Sequence, residues 1–320
     1  QTMGYLEAIR RNYDEAFRLL EECQRIYLAL NVPRGAASVL YNMGDTSISA
    51  GQYRQSIQQY QAAAELYKTV GEQKMVASMY SWQSIAASRL GDFDLARTMR
   101  QKSLEGFRSI QDAGGLAWTY WESGELQRVQ GDMDAARAAY EASFAIFQVH
   151  HMDLGLAYYQ RGLGQMAFTA GDWVAAREHF VQSLAYMAEE HHPWGKAYVT
   201  CQLARVEVRL GVLDRARELL RQAMDHALKQ GDKGLTLFVL AGVVDLYEGV
   251  GQRRTAVALA AFVRSHLATH WETRQSVKAW LELVGPTLPP QELALAQTAM
   301  LDLSLDDVVT EATAALKPGG

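Results

Sequence analysis

The sequence predicts an all-α solenoid built from antiparallel helix pairs, and three spacings predict it. Glycine recurs every forty residues, at Gly51, Gly91, Gly131, Gly171, Gly211 and Gly251. A small residue follows five positions after each, as Ser56, Ala96, Ala136, Ala176, Ala216 and Ala256. A second series of chain breaks lies between the glycines with about the same period, at Asn31-Val32-Pro33, Gly71-Glu72-Gln73, Asp112-Ala113-Gly114, His151-Met152-Asp153, His191-His192-Pro193 and Gly231-Asp232-Lys233. A unit of this length buries its apolar face only by stacking on its neighbours.

Each element of the unit has a local cause. About sixteen helix-compatible residues precede each glycine, which suits the left-handed position that ends a helix. Asp or Gln usually comes next and can cap the second helix, and acids such as Asp94 and Asp134 favour its positive end. The small residue lets the two helices of a pair approach closely. The second helix then carries a bulky register at Tyr60, Tyr140, Phe180 and Leu220, from which Arg100 and Ala260 depart. A first copy, RNYDEA from Arg11, has the glycine replaced, so residues 1–268 read as seven helix pairs with the first incomplete. Beyond residue 268 the period fails. Residues 272–284, QELALAQTAM and SLDDVVTEATAAL read as three further helices, so that 269–320 form a C-terminal cap and tail over the last exposed face.

The order of a small residue in the first helix, then a small residue and an aromatic in the second, is carried by Gly44, Ser56 and Tyr60 and again by Gly124, Ala136 and Tyr140. In this the chain resembles the tetratricopeptide-repeat superfamily over roughly residues 1–268. It differs in its forty-residue unit, and the family's bulky residue three after the first small one occurs only as Tyr247. The resemblance implies a right-handed superhelix whose first helices line a concave, partner-binding groove. Long units of this kind are similar to those of bacterial signalling proteins and of some eukaryotic scaffold proteins, and the ending Leu303-Ser304-Leu305-Asp306-Asp307-Val308-Val309 is similar to the close of the repeat sensor region of large bacterial signal-transduction ATPases and transcriptional regulators. That likeness implies a ligand- or protein-binding sensor region, with a nucleotide-binding switch domain N-terminal to this stretch. The alternative is a stand-alone scaffold or peptide receptor with no switch domain. A start at Gln1, already in helix-like sequence, fits a piece of a longer chain.

Composition and motifs narrow the function classes. The chain has 320 residues, 49% hydrophobic and 21% charged, with a formal net charge of −5, an ordinary globular balance without the basic footprint of a nucleic-acid-binding domain. No run approaches the length of a membrane span and no signal pattern opens the chain, so a cytoplasmic protein is expected. Cys23 and Cys201, far apart, form neither a disulfide framework nor a CxxC site and read as reduced, partly buried hydrophobes. Phosphate-binding and hydrolytic motifs are missing, so no enzyme is expected. His150-His151, His191-His192 and the i,i+4 pair His266 and His270 lack a completing Cys or carboxylate cluster. Solvated loops and a helix-dipole partner explain them, and neither metal nor cofactor is expected.

The repeats also act as internal controls. Val39, Met79, Thr119, Tyr159, Val199 and Val239 share one first-helix register, and Thr46, Ala86, Leu126, Met166, Val206 and Leu246 another, seven apart, as a buried stripe requires. A different face varies from unit to unit. Its large residues are Trp118, Trp121, Glu125 and Arg128, then Tyr158, Arg161, Gln165 and Phe168, then Tyr198 and Arg205, then Phe238. These fall at i, i+3, i+7 and i+10, one side of a helix. Aromatic anchors among guanidiniums have the composition of a recognition surface for a peptide or protein segment with acidic groups, or for a small anionic ligand. The other reading is that the rings fill space inside a tight superhelix. If they face a partner, Trp121→Ala and Arg161→Ala lose binding while stability stays nearly unchanged.

Overall fold

A computed structural model describes residues 12–187 and 192–317 of the chain. Arg11, where the first copy of the repeat begins, and His191 lie outside the described residues. The described residues form sixteen α-helices and one short 3-10 turn. In chain order these are α1 (Tyr13–Ala29), α2 (Pro33–Ala50), α3 (Tyr53–Thr69), α4 (Gln73–Leu90), α5 (Phe93–Ser109), α6 (Ala113–Val129), α7 (Met133–Val149) and α8 (Asp153–Ala170). They continue as α9 (Trp173–Tyr186), α10 (Pro193–Arg209), α11 (Leu213–Gln230), α12 (Lys233–Gly249), α13 (Arg253–Ser265), α14 (Trp271–Val284), α15 (Pro290–Thr298) and α16 (Leu305–Ala315), with the 3-10 turn Gly285–Thr287 after α14. The helices pair antiparallel in sequence order, the arrangement of an α-solenoid.

The chain divides into two compact units, Gln1–Gly162 and Leu163–Gly320. In the first, α2 packs on α3, α4 on α5 and α6 on α7; in the second, α10 packs on α11 and α12 on α13. The division falls inside α8, between the end of one unit at Gly162 and the start of the next at Leu163.

The period has a backbone cause. The six periodic glycines have φ between 77° and 89°, the left-handed conformation that ends each first helix. The alternate breaks do the same with Gly71 and Gly231, and also with Asn31, Gln111 and His151, whose φ values lie between 51° and 54°. Asp92, Asp132 and Asp172 each accept a hydrogen bond from the backbone N–H three residues on, at 3.0 to 3.2 Å. Gln52 and Gln252 make no such bond, so of the two cap types expected only the aspartates act.

Packing follows the registers. The small residues Ser56, Ala96, Ala136, Ala176, Ala216 and Ala256 are fully buried, as are Tyr60, Tyr140, Phe180 and Leu220. A Cβ built on Gly44 would lie 2.4 Å from the Tyr60 ring and one on Gly124 would lie 2.6 Å from the Tyr140 ring, so each glycine makes room for its aromatic. The expected stripe is buried apart from Tyr159 and Thr46, which are half-buried.

After α13 the pattern changes. α13 packs on α14 and α15, and α12 meets α14 and α16. Ser304 and Asp307 close a capping box at the start of α16, which buries Val308, Val309 and Ala312. His266 and His270 do not share a helix: α13 ends at Ser265 and α14 begins at Trp271, so the i,i+4 spacing spans a break. Cys23 is exposed on α1 and Cys201 is buried, so only the second fits the expected partly buried role.

Candidate functional site

In the first unit the variable face of α6 and the start of α8 forms one cluster. Trp118 and Trp121 pack edge-on to Tyr158, with ring centroids 5.1 and 4.9 Å away, and Trp118 also meets Phe147 at 5.1 Å. The indole N–H of Trp121 donates to the Tyr158 carbonyl at 2.9 Å, which fixes α6 against α8. The Arg161 guanidinium lies 4.4 Å from the Trp121 ring centroid and 4.6 Å from that of Tyr158, within cation–π range of both. It also reaches Glu125 at 3.3 Å, as Arg128 does from three residues along α6. Behind them the Tyr140 hydroxyl of α7 donates to Glu125. Burial alone would push the Glu125 carboxyl up; the two guanidiniums, with the Tyr140 hydroxyl, hold it instead at about 2.

The second unit carries a cluster of the same kind. Trp194, Tyr198 and Phe238 stack nearly parallel, at 5.5 and 4.3 Å. Gln165 donates to the Tyr198 hydroxyl at 2.9 Å and accepts from Gln202, whose own carbonyl oxygen accepts from Arg205 at 3.2 Å. Arg205 pairs with Asp245 at 2.6 Å and lies 5.2 Å from the Phe168 ring centroid; Arg209 reaches the same carboxylate at 3.3 Å. In each cluster two guanidiniums share one carboxylate.

All eleven residues expected on the variable face thus fall into these two clusters, six in the first unit and five in the second. Their depth differs from a bare surface. Trp121, Arg128, Arg161, Gln165, Tyr198 and Phe238 are buried, with Trp121 7% and Arg161 4% exposed. Trp118, Glu125, Tyr158, Phe168 and Arg205 are half-buried and meet solvent. Trp121→Ala and Arg161→Ala will therefore cost stability, contrary to the expectation above, because each side chain is a packing and hydrogen-bonding element of the fold as well as part of the face.

Reading the face alone missed the groups behind it. Tyr60 donates to Asp45 at 2.6 Å as Tyr140 does to Glu125, each reaching fifteen residues back past the close-packed glycine. Arg100, the departure from the bulky register, instead pairs forward with Glu122 on α6, to which Ser81 donates at 2.6 Å. The signal was present in the sequence: an acid at 45 and 125 accompanies tyrosine at 60 and 140, whereas Ile85 accompanies Arg100.

A tetratricopeptide-repeat family model matches residues 75–148 and 115–189. Residues 75–189 are tetratricopeptide repeats. Among solved structures the repeat protein is similar to BtubC (BKLC) from P. vanneervenii, at 16% identity and a TM-score of 0.50, over 69% of this chain and 91% of that one. It is also similar to the apo form of the quorum sensor NprR from B. thuringiensis, at 16% identity and a TM-score of 0.50, over 88% of this chain and 83% of that one. At such identity the likeness is one of fold. No curated protein matches the sequence significantly. No helix among the described residues is long and apolar enough to cross a membrane.

Proposed function

We propose that this repeat protein is the interaction region of a bacterial signalling or transcriptional regulator, and that its two aromatic–guanidinium clusters bind an acidic peptide or protein segment, or a small anionic ligand. The observation that carries the reading is the two-to-one ratio of guanidinium to carboxylate, Arg128 and Arg161 to Glu125 and Arg205 and Arg209 to Asp245, set among aromatic rings. Side chains fixed in this way by rings and hydrogen bonds are ordered before a partner arrives, so less entropy is lost on binding. Rings then supply contact area and guanidiniums supply paired donors to a carboxylate.

The regulator role draws on the similarity of the ending from Leu303 to Val309 to bacterial sensor regions, and on the likeness in fold to a quorum sensor. A change in the packing of one helix pair on the next would pass to an attached switch domain, because each repeat touches only its neighbours.

Selection of a displayed random-peptide library on the full chain tests the binding reading. Acidic peptides should be enriched, and enrichment should fall in Arg161→Gln and Arg205→Gln variants that retain wild-type helicity. Enrichment of the same peptides by wild type and both variants, or of no acidic peptide at all, would overturn it. A nucleotide-binding module encoded upstream in the intact gene would favour the regulator over a stand-alone scaffold.

A further inference from the structure

The first unit contains the Glu125 constellation twice, eighty residues apart, and the two copies differ most in the cations around the carboxylate. Gly44, Asp45 and Tyr60 match Gly124, Glu125 and Tyr140, and Tyr41 stands where Trp121 stands. The Tyr60 hydroxyl donates to Asp45 as the Tyr140 hydroxyl donates to Glu125. Around Glu125 the cations are Arg128 and Arg161; eighty residues earlier those two positions are Ile48 and Ser81. Ile48 is buried in the core and the Ser81 hydroxyl is turned to Glu122 at 2.6 Å. Asp45 consequently has no ion-pair partner among the described residues, although the field of Arg89 on α4 reaches it.

The surroundings suit a cation. Tyr41, Tyr60 and Trp82 form a near-equilateral triangle of rings, with centroids 6.2 to 6.3 Å apart, beside the carboxylate. Tyr41, Asp45 and Trp82 are half-buried, so the group is open to solvent on one side. Electron-rich ring faces next to a carboxylate without an ion pair attract ammonium and guanidinium groups. Burial raises the Asp45 carboxyl, the opposite of Glu125, which two guanidiniums hold down.

We propose that Asp45, Tyr41 and Trp82 form a docking site for a basic side chain of the partner, an arginine by preference, seated over the Tyr41 ring as Arg161 is seated over Trp121. The chain's own second copy is the template for the occupied site. This rests on the reading that the face meets a partner, and adds that the partner carries a basic residue for the α2–α4 end as well as acidic groups for the α6–α8 cluster.

The test uses Nα-acetyl-arginine amide as probe and the neutral, isosteric Nα-acetyl-citrulline amide as control, with the Asp45 carboxyl and Tyr41 ring followed by NMR on the full chain. The arginine amide should shift both signals saturably, the citrulline amide should not, and Asp45→Asn should weaken the response at least tenfold. If D45N loses helicity, Tyr41→Leu serves in its place; it retains the Asp45–Tyr60 bond and should show the same loss. A wild type without a saturable shift, an equal response to the citrulline amide, or an undiminished response in the folded variant would overturn the proposal. Because the probe carries no acid and reports on Asp45 alone, failure here leaves the acidic-peptide result at Arg161 and Arg205 to stand or fall separately.

Discussion

Glu125 shows how much of the candidate site is also structure. Its pKa is held at about 2 in the fold, below the ordinary 4.5, so its contribution to stability is fully present above about pH 4.5 and is lost as pH falls toward 2. A shift of that size corresponds to roughly 3 kcal/mol at neutral pH. Urea midpoints of wild type and Glu125→Gln should therefore converge between about pH 4.5 and 2, and parallel pH profiles would refute the ion-pair account. Trp121→Ala should cost roughly 3 kcal/mol, through a cavity and the loss of its bond to the Tyr158 carbonyl. An unchanged denaturation midpoint would mean the ring is dispensable to packing. Which residues share the variable face was legible from the forty-residue registers, because helical spacing fixes direction. How deep each lies was not, because depth is set by a neighbour: Trp121 is buried by Tyr158, thirty-seven residues on, and by Arg161.

At the scale of the helix, the turns were legible because their causes are local. A glycine at positive φ and an aspartate one residue later act within a few positions of themselves, so Gly91-Asp92 and Gly131-Asp132 could be read without knowing the fold. Asp132→Ala should cost about 1 kcal/mol by removing the cap of α7, and Gln52→Asp should recover a similar amount by supplying the one α3 lacks. Gln111 occupies a left-handed position that L side chains resist, so Gln111→Gly should raise the thermal midpoint, with a gain of at most about 1 kcal/mol after the entropy of glycine is counted. Thermal unfolding of the three variants checks all of these. The break between His266 and His270 was not legible. Nothing in that segment is a strong helix stop, and the turn is held by contacts at a distance, including the Thr269 hydroxyl on the Val263 carbonyl at 2.6 Å and Arg274 on the His266 carbonyl at 2.9 Å.

For the whole chain, the decisive property is that stability is a sum of repeats and of the interfaces between successive ones. A local defect should then stay local. Gly44→Ala would drive a Cβ into the Tyr60 ring, and hydrogen exchange should accelerate in α2 and α3 while α12 and α13 keep their protection. Uniform acceleration through all helices would show a single cooperative block instead. The helices α2 to α8 are each 17 or 18 residues long and are joined by turns of one design, so the backbone of one repeat is nearly interchangeable with that of another. Diversity in this chain is therefore carried by a handful of side-chain substitutions on an unchanging frame. Moving from the Asp45 copy to the Glu125 copy exchanges Tyr41 for Trp121, Asp45 for Glu125, Ile48 for Arg128 and Ser81 for Arg161. On the proposed reading, duplication followed by a few point mutations would give such a chain a new preference, and the same economy would let an engineer rewrite one repeat at a time while the others continue to fold.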